Sequence, residues 1–216
     1  MTPNNPTFTV YAGPMFSSKT TGLLMALERF KYQNKRIMAF KPAIDDRYGT
    51  SEIVSHSGWK YPAICIRDAA EVLQHLTDAP ERPDVVAVDE LFMINGIADV
   101  LIWLFQSGFT IVAATIDLSA QGKAWREVEK VLPWATKIEK CSAVCTVCGR
   151  DAAYTYKKQI NDDEAGRDTR ITVGGADLYE PRCAFHHPFV MNHAILSTRF
   201  KECYDSSSIH KEKCKP

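Results

Sequence analysis

The chain reads as an α/β protein, with a mainly parallel sheet flanked by helices and a smaller lobe stapled by a metal. Three observations carry that expectation. Strand-like and helix-like patterns alternate over the first two thirds. A loop holding Gly13 and Lys19 joins the first strand to the first helix, and two Cys/His knuckles follow Lys140.

The elements follow in order. Residues 7–12 are β-branched and aromatic, which predicts a strand running into the loop. Residues 20–32 place Leu23, Leu27 and Phe30 at i, i+4 and i+7, the spacing of one helical face. Residues 36–41 form the next strand candidate, ended by Pro42. Val85 to Val88 is a short continuous apolar run, as a strand buried on both faces requires. Residues 96–106 read as a helix and 109–116 as another buried strand. Successive βα units of this kind pair as parallel strands, with ligands at their carboxyl ends.

The chain has 216 residues, 45% hydrophobic and 24% charged, enough to bury about 70% of its unfolded surface without disulfides. Its 26 basic and 26 acidic side chains cancel, which argues against stable nucleic-acid binding through a broad basic surface. No apolar run approaches the roughly 20 residues of a membrane span. The start, Met1 to Pro6, is polar and unlike a secretory signal. Seven cysteines in that context favour thiols or a metal over disulfides, and a cytoplasmic protein. Composition shifts near Lys140, giving an expected division into residues 1–140, a second lobe over 141–195 and a tail over 196–216.

Gly13, Pro14, Met15, Phe16, Ser17, Ser18, Lys19 and Thr20 lie between a strand and a helix, the context of a P-loop. Backbone N–H groups there form an anion nest, the helix N-terminus adds partial positive charge, and Lys19 adds a full one. The Thr20 hydroxyl suits Mg²⁺. The usual pattern has glycine where this chain has Ser18, and a left-handed backbone at a serine costs about 1 kcal/mol. The plainer alternative is a helix start capped by Ser17 or Ser18, with Lys19 in solvent.

Asp89 and Glu90 follow the buried strand, where a P-loop protein keeps its metal-organising carboxylate. Asp89 fits that role, and Glu90 is placed to take a proton from an attacking hydroxyl. Alternatively, the two charges only mark the strand's exit. Cys145 with Cys148, and Cys183 with His186, each present two ligands at x₂ spacing, as a closed tetrahedral Zn²⁺ site requires. His187 is a rival to His186, and buried inert cysteines are the alternative. Cys65, Cys141, Cys203 and Cys214 read as ordinary thiols.

Taken together, these motifs resemble the cytosolic-type (type II) thymidine kinases, a family with a P-loop NTPase-like core and a zinc-binding lasso lobe. The resemblance covers about Val10 to His186. It rests on Gly13 to Ser17, on Lys41-Pro-Ala-Ile-Asp45-Asp-Arg47-Tyr48, on Val54-Ser-His56 and on Asp89-Glu90. It continues through Val144-Cys145, Cys148, Ala152-Ala-Tyr154-Thr155, Val173-Gly-Gly175 and Tyr179.

It implies transfer of the ATP γ-phosphate to the 5′-hydroxyl of thymidine or deoxyuridine, in deoxynucleotide salvage, with ATP, Mg²⁺ and structural Zn²⁺. Glu90 would be the base, and ATP would contact residues 13–20 with Asp89, Glu90, Leu91 and Phe92. Asp45, Arg47 and Asp89 would lie near the phosphates and metal. Met15, Trp125, Arg170, Ile171, Thr172, Val173, Gly174 and Tyr179 would hold the nucleoside. A homotetramer is also implied.

The chain departs from the family at Ser18, at Leu91-Phe92-Met93-Ile94 and over Asp117 to Trp125, where an arginine is missing and tryptophan replaces phenylalanine. A catalytically weakened P-loop nucleotide-binding protein is the alternative these departures support.

Overall fold

The computed structural model describes residues 5–45, 51–158, 174–188 and 190. Six strands form one fully parallel sheet: β1 (Phe8–Ala12), β2 (Ile37–Pro42), β5 (Ile64–Ile66), β6 (Val85–Val88), β7 (Thr110–Thr115) and β8 (Lys137–Lys140). Their spatial order is β5-β2-β6-β7-β1-β8, and every adjacent pair is parallel. The α/β expectation therefore holds, with the apolar runs at the sheet's centre.

The pleat divides the core. Val86 and Val88 of β6 face one cluster, and Val85 and Ala87 face the other. Helix α1 (Lys19–Tyr32) covers the second face with Leu23, Leu24 and Leu27. Helices α2 (Ala69–Asp78), α3 (Ile97–Gln106) and α4 (Arg126–Val131) cover the first, with Val72, Leu101, Leu104 and Val128 buried there. Gly22 lets α1 close on the sheet, because a Cβ there would lie 2.7 Å from the ring of Tyr11.

Several elements of this layer lie outside the segments expected from the sequence. Strand β5, helix α2 and edge strand β8 join the sheet assembly, and β3 (Glu52–Val54) pairs with β4 (Lys60–Pro62) as a hairpin beside β2. Helix α2 is capped by Asp68, whose carboxylate accepts from the Ala70 and Glu71 amides.

Beyond β8 come two small antiparallel pairs: β9 (Ala143–Val144) with β10 (Asp151–Ala152), and β11 (Tyr154–Lys157) with β12 (Tyr179–Arg182). No helix among the described residues is long and apolar enough to cross a membrane.

Candidate active site and metal lobe

The carboxyl ends of β1, β2 and β6 open into a cavity of about 550 Å³, within the range of small-molecule sites. Its floor is the loop between β1 and α1. Gly13 must be glycine, since a Cβ there would sit 2.3 Å from the Cys141 carbonyl oxygen at the end of β8. The turn then passes through two left-handed residues, Phe16 (φ 64°) and Ser18 (φ 60°). Ser18 thus carries the conformation that glycine usually supplies.

The capping alternative fails. The Ser18 side chain makes no cap bond to α1, and Ser17 Oγ instead donates to the Pro14 carbonyl at 2.8 Å. Lys19 is not in solvent either. It is 7% exposed and its Nζ donates to the same carbonyl at 2.6 Å. Burial pushes its ammonium below the ordinary value, while Glu90 and Asp89 pull it back.

Opposite the loop, β6 delivers Asp89. Thr20 Oγ1 lies 3.2 Å from each Asp89 carboxylate oxygen, donating into the pair. Burial, and then the neighbouring Glu90 charge, push the Asp89 carboxyl up to about 7. A buried acid that resists ionisation, facing a hydroxyl across hard oxygens, fits a Mg²⁺ site, because the cation would stabilise the charged form. Glu90 follows at φ 48°, its amide donating to Asp89 Oδ1 at 3.1 Å, and its carboxylate lines the same cavity with Oε2 buried.

Asp45 is buried and lines the cavity with Met15, Phe16, Ser17, Ser18, Lys19 and Thr20. Other sequence-derived candidates sit differently. Leu91 is fully buried and Phe92 nearly so, both packed into the core, where Phe92 meets the Trp125 ring at 4.9 Å between centroids. The buried Trp125 Nε1 has no hydrogen-bond partner. Gly174 and Tyr179 belong to the second lobe, where the Tyr179 amide donates to the Gly175 carbonyl at 3.0 Å. Arg47, Arg170, Ile171, Thr172 and Val173 lie outside the described residues.

Sequence reasoning did not assign Lys41 and His56 to the site. Lys41 ends β2, is 3% exposed and reaches the Glu52 carbonyl from the cavity wall. His56 packs against Phe16 at 5.4 Å. A buried lysine at the carboxyl end of a parallel strand was the available signal for Lys41.

The second lobe gathers Cys145, Cys148, Cys183 and His186, with one donor atom from each lying within 4.8 Å of the others. A tetrahedral ion with thiolate bonds of about 2.3 Å sets ligand–ligand edges near ~3.8 Å. The observed edges are 3.8 Å for Cys148–Cys183, 3.7 Å for Cys145 to His186 Nδ1 and 3.2 Å for Cys183 to His186 Nδ1. Burial pushes the Cys145 thiol up, but backbone N–H groups of Cys183, Val147 and Cys148 and the His186 ring pull it down to about 5. Burial pushes the neighbouring Cys183 thiol the other way, upward, so it is the donor types and their spacing that make the Cys₃His set compatible with structural zinc. His187 is excluded as a ligand of this cluster. It is buried in its own packing position and donates from Nε2 to the Thr155 carbonyl at 3.0 Å.

A parallel α/β sheet with a lysine-bearing loop between β1 and α1 and an acidic pair at the end of β6 is the arrangement of the P-loop phosphotransferase class. The thymidine kinase family model matches residues 7–187. The chain belongs to that family, and with it to the nucleoside kinases.

Proposed function

We propose that this protein is an ATP-dependent thymidine kinase, transferring the γ-phosphate of ATP to the 5′-hydroxyl of thymidine or deoxyuridine in pyrimidine deoxynucleotide salvage. The observation that carries this reading is the placement of Glu90 in the same cavity as Lys19, Thr20 and Asp89. Phosphate-binding and proton-accepting groups then meet one reacting centre.

The loop amides and Lys19 hold the phosphates. Thr20 and Asp89 supply oxygen ligands for Mg²⁺, which when bound neutralises charge on the phosphate oxygens. Glu90 accepts the proton of the 5′-hydroxyl as its oxygen bonds to the γ-phosphorus. The bond from that phosphorus to the β,γ-bridging oxygen breaks, and ADP leaves with the electron pair. Asp45 and Arg47 complete the phosphate side. Met15, Trp125, Gly174, Tyr179 and residues 170–173 hold the nucleoside, as the family resemblance implies. Zinc at Cys145, Cys148, Cys183 and His186 closes all four positions and serves structure. The protein acts as a cytoplasmic homotetramer, without nucleic-acid or membrane partners.

The test is radiolabel transfer from [γ-³²P]ATP across a nucleoside panel, wild type against Glu90→Gln. Thymidine or deoxyuridine should be labelled, with the variant slower by about 10²- to 10⁴-fold and ATP affinity retained. If wild type and variant are equally inert while both bind ATP, the protein is a catalytically silent nucleotide binder. Serine in place of the usual glycine at position 18, and the arginine missing between Asp117 and Trp125, are the observations favouring that second reading.

A further inference from the structure

The loop between β1 and α1 is held partly from within, by Ser17 Oγ and Lys19 Nζ on the Pro14 carbonyl, and partly from outside. Two of its residues, Phe16 and Ser18, are left-handed without being glycine. Such residues persist only where the surroundings over-determine them. Part of those surroundings comes from the second lobe. The Met15 amide, one residue before the first left-handed position, donates to Thr155 Oγ1 at 3.0 Å across 140 positions of sequence. The Phe16 ring packs on the small cluster made by Ala143, Cys145, Ala152 and Cys183.

Thr155 is itself fixed. It lies on β11 opposite Pro181 of β12, two residues before the ligand Cys183. It is 4% exposed, and its carbonyl accepts from His187, directly after the ligand His186. The rings of Tyr154 and Tyr156 flank that imidazole at 5.7 and 6.2 Å. A continuous set of contacts therefore runs from the Cys₃His cluster to the turn before Ser18.

We propose that Thr155 is a positioning residue through which the metal lobe holds the phosphate loop in its nucleotide-binding shape. The inference rests on the nucleotide-binding reading of that loop. Thr155 touches no reacting atom. Its hydroxyl acts through Met15, so its loss changes affinity for the triphosphate and leaves the chemical step at saturation.

The experiment uses the full-length, metal-loaded protein. Thr155→Val keeps the side chain's shape and removes the acceptor, and Thr155→Ser restores it. ATP affinity with Mg²⁺ is read by calorimetry, with zinc content, melting midpoint and the kcat and KM for ATP measured in parallel. Thr155→Val should weaken ATP by about tenfold, the worth of one net hydrogen bond. It should raise KM for ATP while leaving kcat and zinc content at wild-type levels, and Thr155→Ser should recover the affinity. Wild-type affinity in Thr155→Val overturns the proposal.

Amide exchange at Met15 in nucleotide-free wild-type protein decides independently of any variant's folding. Protection of that amide supports the proposal, and exchange at the rate of an open loop overturns it. Should wild type bind no ATP, the nucleotide reading fails, and the exchange measurement still judges the strut.

Discussion

Asp89→Asn should stabilise the nucleotide-free protein, and more so at high pH. The folded state holds the Asp89 carboxyl at about 7 against an ordinary value of 3.8, through burial and then the neighbouring Glu90. A raised carboxyl value means that the fold prefers the neutral acid. Its contribution to stability is fully present below 3.8 and is lost as pH rises through about 7. The full shift corresponds to a cost on the order of 4 kcal/mol at pH 8. At pH 5.5 the folded group is already protonated while the unfolded one is still mostly ionised, and the cost falls to roughly 2 kcal/mol. Asparagine carries no such charge and still offers Thr20 an oxygen. At about 2–4 °C per kcal/mol for a chain of this size, the variant should melt roughly 8–16 °C above wild type at pH 8. About half that gap should remain at pH 5.5. Calorimetry in Mg²⁺-free, chelator-free buffer measures both, and calorimetric titration should show Mg·ATP binding much weakened in the variant. Equal gaps at the two pH values, or an asparagine protein that melts lower throughout, would refute the assignment of Asp89 as a buried, charge-averse carboxyl.

Two further substitutions separate the lobes. Cys148→Ser removes one of four donors that lie within 4.8 Å of each other, and metal-binding energy is folding energy. Zinc per chain, read by mass spectrometry, should fall well below one, and the melting midpoint should drop by roughly 6–12 °C for about 3 kcal/mol lost. Wild-type stability with no metal in either protein would count against the site. Gly13→Ala pushes a methyl group to 2.3 Å from a backbone oxygen that cannot swing away. A loss of about 1–3 kcal/mol in stability, seen by denaturant titration, should accompany weakened ATP binding. A fully stable, nucleotide-competent alanine variant would show that the loop and Cys141 move apart freely.

What the sequence made legible is what is local and contiguous. Val85 to Val88 reads as a strand because a parallel strand buried on both faces has no polar side to interrupt it, and all four residues are buried. The strand–loop–helix unit around Gly13 and Lys19 reads because its parts are neighbours in the chain. Strand β8 does not read, because all four residues of Lys137–Lys140 are exposed at the sheet edge, where lysines block further pairing instead of marking a core. Strand β5 is three residues long, too short for a period to show. Helix α2 carries a local signal of its own, the N-cap Asp68 with Val72 on the buried face. At the site, Lys41 and Thr155 carry no motif of their own. Sheet order brings Lys41 beside the acidic pair, and the fold-back of the second lobe brings Thr155 onto Met15, so only the tertiary arrangement gives them a role.

The distribution of backbone strain points the same way as the chemistry. Four non-glycine residues have positive φ among the described residues, and three of them, Phe16, Ser18 and Glu90, line the cavity. The fourth, Asn34, closes the turn after α1, where asparagine is tolerated. Each of the three costs on the order of 1–2 kcal/mol, which a fold selected for stability alone would relieve with glycine. The cost falls in the loop that the proposed function assigns to the phosphates, and where Glu90 leaves β6 to line the cavity with Lys19. Ser18 is the telling position, because the glycine that removes the strain is the residue that the motif usually carries there. The Thr155–Met15 bond and the packing of Phe16 on the cysteine cluster brace the turn just before that serine. On the proposed reading, the second lobe and this loop work as one mechanical unit, and damage to the first should show as lost nucleotide affinity at the second.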